Sequence, residues 1–331
     1  LRSPEWDRDN GIERLRGRRV AELRPADRRL ELDDGSTRDY GALLLATGAK
    51  PARLPLEPDQ HVHYLRSLDD SRALIRAAAS ATRAVVIGAS FIGLEVAASL
   101  RARKVPVTVV APDAVPLERV LGPELGAFVR ELHEAQGVAF RLGRTVKAAW
   151  RDGVTLDDGE RLPADLVVAG IGVRPRTSLA ELAGLAVDKG ILVNEFLETS
   201  VPGIYAAGDV ARWPDPVSGR PVRIEHWVVA ERQGQAAAAN ILAGSAGDRK
   251  PFDAVPFFWS RHYDVTIGYT GHADRWEAIE VSGDIRARDC ALTFRQAGRV
   301  AATATIGRDR DNLAAEAAME QERMRGEAVA R

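Results

Sequence analysis

Short alternating stretches of apolar and polar residues dominate the first fifty positions. Arg18 to Leu23, Arg28 to Leu32 and Tyr40 to Ala46 read as strands, separated by Pro25-Ala26-Asp27 and Asp33-Asp34-Gly35, which supply turn chemistry. The hairpin Arg28 to Gly35 returns as Gly153-Val154-Thr155-Leu156-Asp157-Asp158-Gly159. Each copy runs into an apolar strand that stops at a glycine, Ala42 to Gly48 and then Ala164 to Gly170. Hairpin, buried strand and glycine recurring together predict two copies of one domain plan.

Between the copies the pattern changes. Arg83 to Ile87 is a mostly apolar run, as suits a parallel strand covered on both faces. It enters Gly88-Ala89-Ser90-Phe91-Ile92-Gly93, then a helix to about Arg103 and a second strand at Pro106 to Val110, which together make a βαβ unit. After Gly170 a helix is predicted near Leu179 to Ala183, a strand near Gly190 to Val193, and another in Val201 to Asp209 that ends at Gly208-Asp209. The alanine-rich stretch Val228 to Leu242 predicts a helix closed by Gly244. Polar Ser245 to Lys250 reads as a boundary. Beyond it Val265 to Tyr269, Ala278 to Val281, Ala291 to Phe294 and Val300 to Ile306 predict antiparallel strands, followed by a polar helix from about Asn312.

Composition narrows the function classes. The 331 residues carry 46 Lys+Arg against 47 Asp+Glu, a net charge of -1, so nothing favours nucleic acid or an acidic membrane as partner. At about 150 residues per domain, two or three domains are expected. A single cysteine, Cys290, excludes a disulfide framework, a zinc-thiolate site or an iron–sulfur cluster held by this chain alone, and reads as a small buried residue. No apolar run approaches the roughly 18 residues of a membrane-spanning helix. Low cysteine use agrees with a reducing, cytoplasmic location.

Gly88 permits the tight turn out of the strand, Gly93 lets the helix pack on it, and the helix start offers backbone N–H groups to a pyrophosphate. Ser90 stands where the fingerprint has a glycine; its hydroxyl allows close approach or donates to phosphate. Ala111 stands where an acid would hold the adenosine ribose, leaving Asp113, or Arg119 toward a 2′-phosphate, as substitutes, each of which also reads as a solvated loop charge. The choice between NADH and NADPH stays open. Glu95, near the helix start, reads on its own as a dipole-stabilised acid. By composition alone Trp227 and Trp259 are core aromatics and Asp209 a turn residue. His61 and His63 are structural, no metal site is expected, and the arginines from Arg14 to Arg29 form a solvated face.

Ala46-Thr47-Gly48, Gly88 to Glu95, Gly170-Ile171-Gly172 with Pro175, and Gly203 to Asp209 together resemble the FAD-dependent pyridine nucleotide-disulfide oxidoreductase superfamily, in its ferredoxin reductase type. That group includes rubredoxin and putidaredoxin reductases, reductases of Rieske-type dioxygenases and apoptosis-inducing-factor-like proteins. Glu225-His226-Trp227 before a helix and Pro256-Phe257-Phe258-Trp259-Ser260 carry its C-terminal signature, and Leu1 to Trp6 is similar to the apoptosis-inducing-factor-like branch.

The resemblance implies an α/β fold with two Rossmann-like dinucleotide-binding domains and a C-terminal α+β domain. Its divisions are an FAD domain at 1–68 and 196–249, an inserted NAD(P) domain at 69–195, and a reductase domain at 250–331. It implies an NAD(P)H oxidoreductase that passes electrons through FAD to a small iron–sulfur protein, with a homodimer as a further candidate assembly. It implies FAD contacts at Thr47, Gly48, Arg53, Gly208, Asp209, His226, Trp227 and Trp259. NAD(P) contacts follow at Gly88, Ala89, Ser90, Phe91, Ile92, Gly93, Glu95, Ala111, Arg119 and Gly172, with Glu95 near the nicotinamide and no side-chain nucleophile. The family opens on its own strand–glycine loop–helix, and nothing before Arg18 supplies it; a chain lacking that unit is expected to bind FAD poorly. The competing readings are an NADH oxidase or disulfide reductase of the same superfamily, and a non-catalytic apoptosis-inducing-factor-like nucleotide-binding protein.

Overall fold

A computed structural model describes residues 2–56, 61–216, 218–244 and 247–330. Leu1, and Ser245 and Ala246 of the expected boundary, lie outside the described residues. The centre is a wholly parallel five-stranded sheet in the order Val62–Tyr64, Leu166–Ala169, Ala84–Ile87, Val107–Ala111, Val138–Leu142. Ala84–Ile87 and Leu166–Ala169 are buried at every position, which their unbroken apolar runs require. The helix Phe91–Ala102 returns over the sheet and buries Leu94, Val96, Ala97, Ala98 and Leu100.

A second long helix, Glu118–Ala135, follows the strand at Val107–Ala111, where the sequence reading placed none. It buries Leu121, Leu125, Val129, Leu132 and His133. Gly122, at φ 76°, breaks its first turn just before Pro123, and proline suits the fresh start because its missing N–H is not needed there.

The repeated hairpins are real. Val20–Arg24, Arg29–Leu32 and Thr37–Asp39 form a three-stranded antiparallel meander, and Val146–Trp150, Gly153–Leu156 and Arg161–Pro163 form another. Both carry an irregularity at the same place, between Val20 and Glu22 and between Val146 and Ala148. After the first meander Leu43–Leu45 pairs in parallel with Ile204–Ala206; after the second, Leu166–Ala169 enters the central sheet.

The two chain crossings between these units run side by side, Ala49–Pro51 antiparallel to Val173–Pro175. Val62–Tyr64 belongs to the central parallel sheet although it precedes residue 69, and Ile191–Leu192 pairs with Ala211 and Arg212 on the other side of the crossing.

The remaining unit is a five-stranded antiparallel sheet in the order Phe257–His262, Val265–Gly271, Arg299–Ile306, Asp289–Gln296, Ala278–Asp284, with the helix Asp309–Ala330 against it. The first of these strands was not predicted. Its alternation places Ser260 and His262 inside and Trp259 and Arg261 outside. One apolar cluster runs from the parallel sheet into this one, joining Leu121 and Leu125 to Ile267 and Phe294, while a second centres on Ile204, Trp213 and Val229. Among the described residues no helix is long and apolar enough to cross a membrane.

Leu125 is fully buried in that shared cluster. Leu125→Ala should cost about 2–5 kcal/mol of unfolding free energy, read from urea denaturation followed by circular dichroism.

Candidate functional site

Three glycines bring a helix start against two strand ends. Gly88 has φ 105°, and a Cβ there would lie 2.4 Å from the Gly170 carbonyl oxygen. A Cβ on Gly93 would lie 2.1 Å from the Gly88 oxygen, and one on Gly170 2.9 Å from the Gly93 nitrogen. No larger residue fits without moving backbone. Ser90 caps the helix: its Oγ accepts from the Gly93 N–H at 3.3 Å and donates to the Gly170 carbonyl at 2.6 Å. The hydroxyl proton expected to reach a phosphate is thus engaged with the neighbouring strand end. What remains for an anion is the other first-turn N–H groups and the helix dipole.

Past this turn, Ala111 is buried, and Asp113 accepts from Arg119 at 2.8 Å. The two side chains expected to substitute for a ribose acid are paired with each other. Gly172, at φ 93°, has open space where a Cβ would sit, and its carbonyl accepts from the Ala52 N–H at 2.9 Å.

The other half of the site forms at the chain crossing. Thr47 Oγ1 donates to the Arg176 carbonyl at 2.8 Å, and the Arg176 N–H donates to Gly48 at 2.8 Å. A cavity of about 340 Å³ is lined by Gly48, Arg66, Gly208, Asp209, Trp227 and Ala230. Arg66 Nη2 donates to Asp209 Oδ2 at 2.6 Å, and the Asp209 side chain is only 11% exposed. The Gly208 N–H donates to Gln233 Oε1 at 2.8 Å; Gln233 is fully buried, and its Nε2 has no partner among the described residues. The helix Trp227–Ala243 starts at this cavity, capped by His226, whose Nδ1 accepts from the Val228 N–H at 3.3 Å. Burial lowers the His226 pKa, and Asp209 opposes that shift.

The two halves share one cleft. Phe91, at the start of the helix Phe91–Ala102, meets Phe258 edge-on at 5.1 Å, and Phe258 meets His226 at 5.5 Å. A cavity of about 640 Å³ takes its walls from both, including Phe91, Glu95, Arg223, His226 and Trp259. Trp227 and Trp259 stand edge to face at 6.0 Å and remain 60% and 49% exposed, so neither is the core aromatic that composition alone suggests. Glu95 looks into this cleft and accepts from Ser260 Oγ at 2.5 Å.

The pyridine nucleotide-disulphide oxidoreductase profile matches residues 6–234, and a reductase C-terminal profile matches residues 257–330. This chain belongs to the pyridine nucleotide-disulphide oxidoreductases. It is 38% identical over 321 residues to putidaredoxin reductase of Pseudomonas putida, covering 93% of this chain and 75% of that one. It is 37% identical over 318 residues to the ferredoxin–NAD(+) reductase component of the anthranilate 1,2-dioxygenase system of Burkholderia cepacia, covering 94% and 77%. In three dimensions it matches a crystal structure of the covalent putidaredoxin reductase–putidaredoxin complex with TM-score 0.91 and 36% identity, over 96% of this chain and 78% of the other. As a member of this family, the chain is an NAD(P)H-dependent FAD oxidoreductase of the ferredoxin reductase type.

The residues present suit both groups of the oxidoreductase. The start of the helix Phe91–Ala102 offers backbone N–H groups to a pyrophosphate, and the crossing joins a carboxylate, a helix start and a leftover buried amide donor at Gln233. Arg53 lies over the Tyr64 ring at 4.9 Å. The arginine at Asp209 is Arg66, which no motif signals because 143 positions separate the pair. Sequence reasoning also missed Ser260, His262 and His133 behind Glu95. His133 Nε2 and His262 Nδ1 lie 3.1 Å apart, and His262 Nε2 lies 3.1 Å from Ser260 Oγ. The only available signal was the polar alternation in Ser260-Arg261-His262.

Two outcomes follow from this geometry. Gly93→Ala should push the helix off the strand, weakening NADH binding more than tenfold for a packing cost of about 1–3 kcal/mol, as isothermal titration calorimetry would show. Burial drives His133 down to about 3, helped by His262, and His262 down to about 4. Both rings fold neutral, whereas the unfolded chain protonates each as pH falls through about 6.5. Their contribution is therefore complete above about pH 6.5 and drains away toward pH 4, at about 1.4 kcal/mol per pH unit for each ring. Urea midpoints should fall between pH 7 and 4.5, and His262→Gln should flatten the decline.

Proposed function

We propose that this chain delivers electrons from NAD(P)H to a small iron–sulfur protein, with the exposed tryptophan edge of the shared cleft as the exit. The observation that carries the reading is the joining of the two helix starts, through Phe91, Phe258 and His226, around one cavity. FAD, when bound, accepts a hydride equivalent and releases electrons singly, which matches a two-electron donor to a one-electron acceptor.

The chain's own residues bind and orient. The turn Gly88-Ala89-Ser90-Phe91-Ile92-Gly93 holds the nucleotide pyrophosphate through backbone N–H groups. Ala111 and Arg119 border the adenosine end, while Gly172 and Glu95 border the nicotinamide end. Thr47, Gly48, Gly208 and Asp209 hold the flavin side, with Arg66 aiming the Asp209 carboxylate. His226 and Trp227 open the helix whose positive end faces that cavity and favours negative charge there. Trp227 and Trp259 present flat apolar faces that keep water from the cleft. The division that goes with this reading takes Ala49–Pro51 and Val173–Pro175 as the two strands through which the NAD(P) unit joins the FAD unit.

A disulfide reductase would need paired reactive thiols. Cys290 is the one cysteine in these 331 residues; it is fully buried, and burial pushes its thiol up, away from the reactive thiolate.

The test is NADH oxidation by the chain supplied with FAD in large excess. Adding a [2Fe–2S] ferredoxin should accelerate turnover at least tenfold, and Trp259→Ala should cut the accelerated rate more than the NADH-only rate. Turnover driven by a disulfide substrate, with no response to any iron–sulfur protein, would overturn the proposal.

A further inference from the structure

Behind Glu95 a line of hydrogen-bonding side chains crosses from one domain into another. Glu95 Oε1 is 2.5 Å from Ser260 Oγ; Ser260 Oγ is 3.1 Å from His262 Nε2; His262 Nδ1 is 3.1 Å from His133 Nε2; His133 Nδ1 is 3.2 Å from the Tyr263 hydroxyl. Ser260 is 1% exposed and both histidines are fully buried. Three elements meet here: the helix Phe91–Ala102, the helix Glu118–Ala135, and the strand Phe257–His262 with its turn. Tyr263 holds φ 58°, a left-handed conformation that side-chain-bearing residues adopt at a cost. That turn brings its ring to 5.1 Å from the His133 ring.

Hydrogen-bonding capacity gives the line one direction. A carboxylate only accepts, so Ser260 donates to Glu95. The Ser260 oxygen then accepts, so His262 carries its proton on Nε2. A neutral imidazole has one donor and one acceptor, so His262 Nδ1 accepts from His133 Nε2–H, and His133 Nδ1 accepts from the Tyr263 O–H. All four donors point toward Glu95, and none is wasted. The desolvation that lowers both histidines keeps them in the neutral form this pattern needs. Burial likewise pushes the Tyr263 hydroxyl up to about 12, so it stays a donor, with Arg101 as the charged group that approaches it. Phe140 packs edge-on against the far side of His133 at 6.3 Å.

We propose that Tyr263, His133, His262 and Ser260 form a one-directional hydrogen-bond relay that positions the Glu95 carboxylate, pinning it to the C-terminal domain as a fixed anion at the nicotinamide end of the cleft. The existence of the relay stands on distances and burial; its purpose rests on the placement of Glu95 given under the proposed function. A pinned anion stabilises the pyridinium ring of NAD+ more than the neutral ring of NADH, so it favours the charge that hydride donation creates. His133, His262, Ser260 and Tyr263 are positioning residues acting through Glu95.

The test uses the full chain labelled with 15N-histidine, without added cofactor. Long-range 1H–15N spectra at pH 7 should show His133 and His262 as neutral Nε2–H tautomers. Ser260→Ala removes the acceptor of His262 Nε2–H, so both rings should switch to the Nδ1–H form, with Tyr263 becoming the acceptor at His133. Calorimetry with NAD+ should then show binding weakened about tenfold, with NADH weakened less than threefold. His262→Gln retains one donor and one acceptor and should keep the NAD+ preference, whereas His262→Leu should lose it. An imidazolium, or an Nδ1–H ring, at either position in the unaltered chain overturns the relay. Switched tautomers with unchanged NAD+ binding in Ser260→Ala overturn the positioning role and locate the fault in the placement of Glu95.

Discussion

The helix Phe91–Ala102 lies so close to the ends of Ala84–Ile87 and Leu166–Ala169 that only hydrogen atoms fit at Gly88, Gly93 and Gly170. Backbone touching backbone fixes the depth and direction of the helix start within a few tenths of an ångström, because no side chain can adjust there. From that start Phe91 reaches Phe258 and Glu95 reaches Ser260, both on the first strand of the C-terminal sheet. The placement of the C-terminal domain over the cleft follows from this contact, and the apolar cluster shared between the two sheets secures it.

Duplication explains why a second site lies opposite the first. Each copy folds a meander with the same irregularity and then a buried strand ending at a glycine. Because one copy is inserted into the other, the chain crosses twice, and the crossings pair with each other at Ala49–Pro51 and Val173–Pro175. Thr47 and Arg176 close that junction with a side-chain hydrogen bond. The crossing is short and doubly tied, so the ends of both parallel strand systems face a common space and not opposite sides of the molecule.

Charge is spent unevenly across the structure. Most ion pairs are exposed, such as Arg29 with Asp39 and Arg295 with Glu280, and contribute little. Several buried polar groups gather at the cleft: Asp209 held by Arg66, Gln233 behind Gly208, and the two neutral histidines behind Glu95. Histidines kept neutral by desolvation place hydrogen-bond donors in the interior without bringing charge with them, and acid sensitivity is the consequence.

The sequence by itself determined what depends on neighbours along the chain. The duplicated hairpins, the strand–turn–helix at Gly88 to Gly93, the helix closed at Gly244 and the Gly208-Asp209 strand end were all legible, since turn residues and apolar periodicity act within a few residues. Even there, the helix Glu118–Ala135 escaped notice, because a glycine and a proline interrupt its first turn. Tertiary structure alone decided which partner each polar side chain takes. Ser90 gives its proton to Gly170, 80 positions away; Arg66 reaches Asp209 across 143; and Glu95 finds Ser260 across 165 positions. Trp227 and Trp259 are left half-open by the same means, since exposure depends on what the fold brings to either side of a ring. A hydrogen bond acts over about 3 Å, and only the folded chain sets which groups come that close.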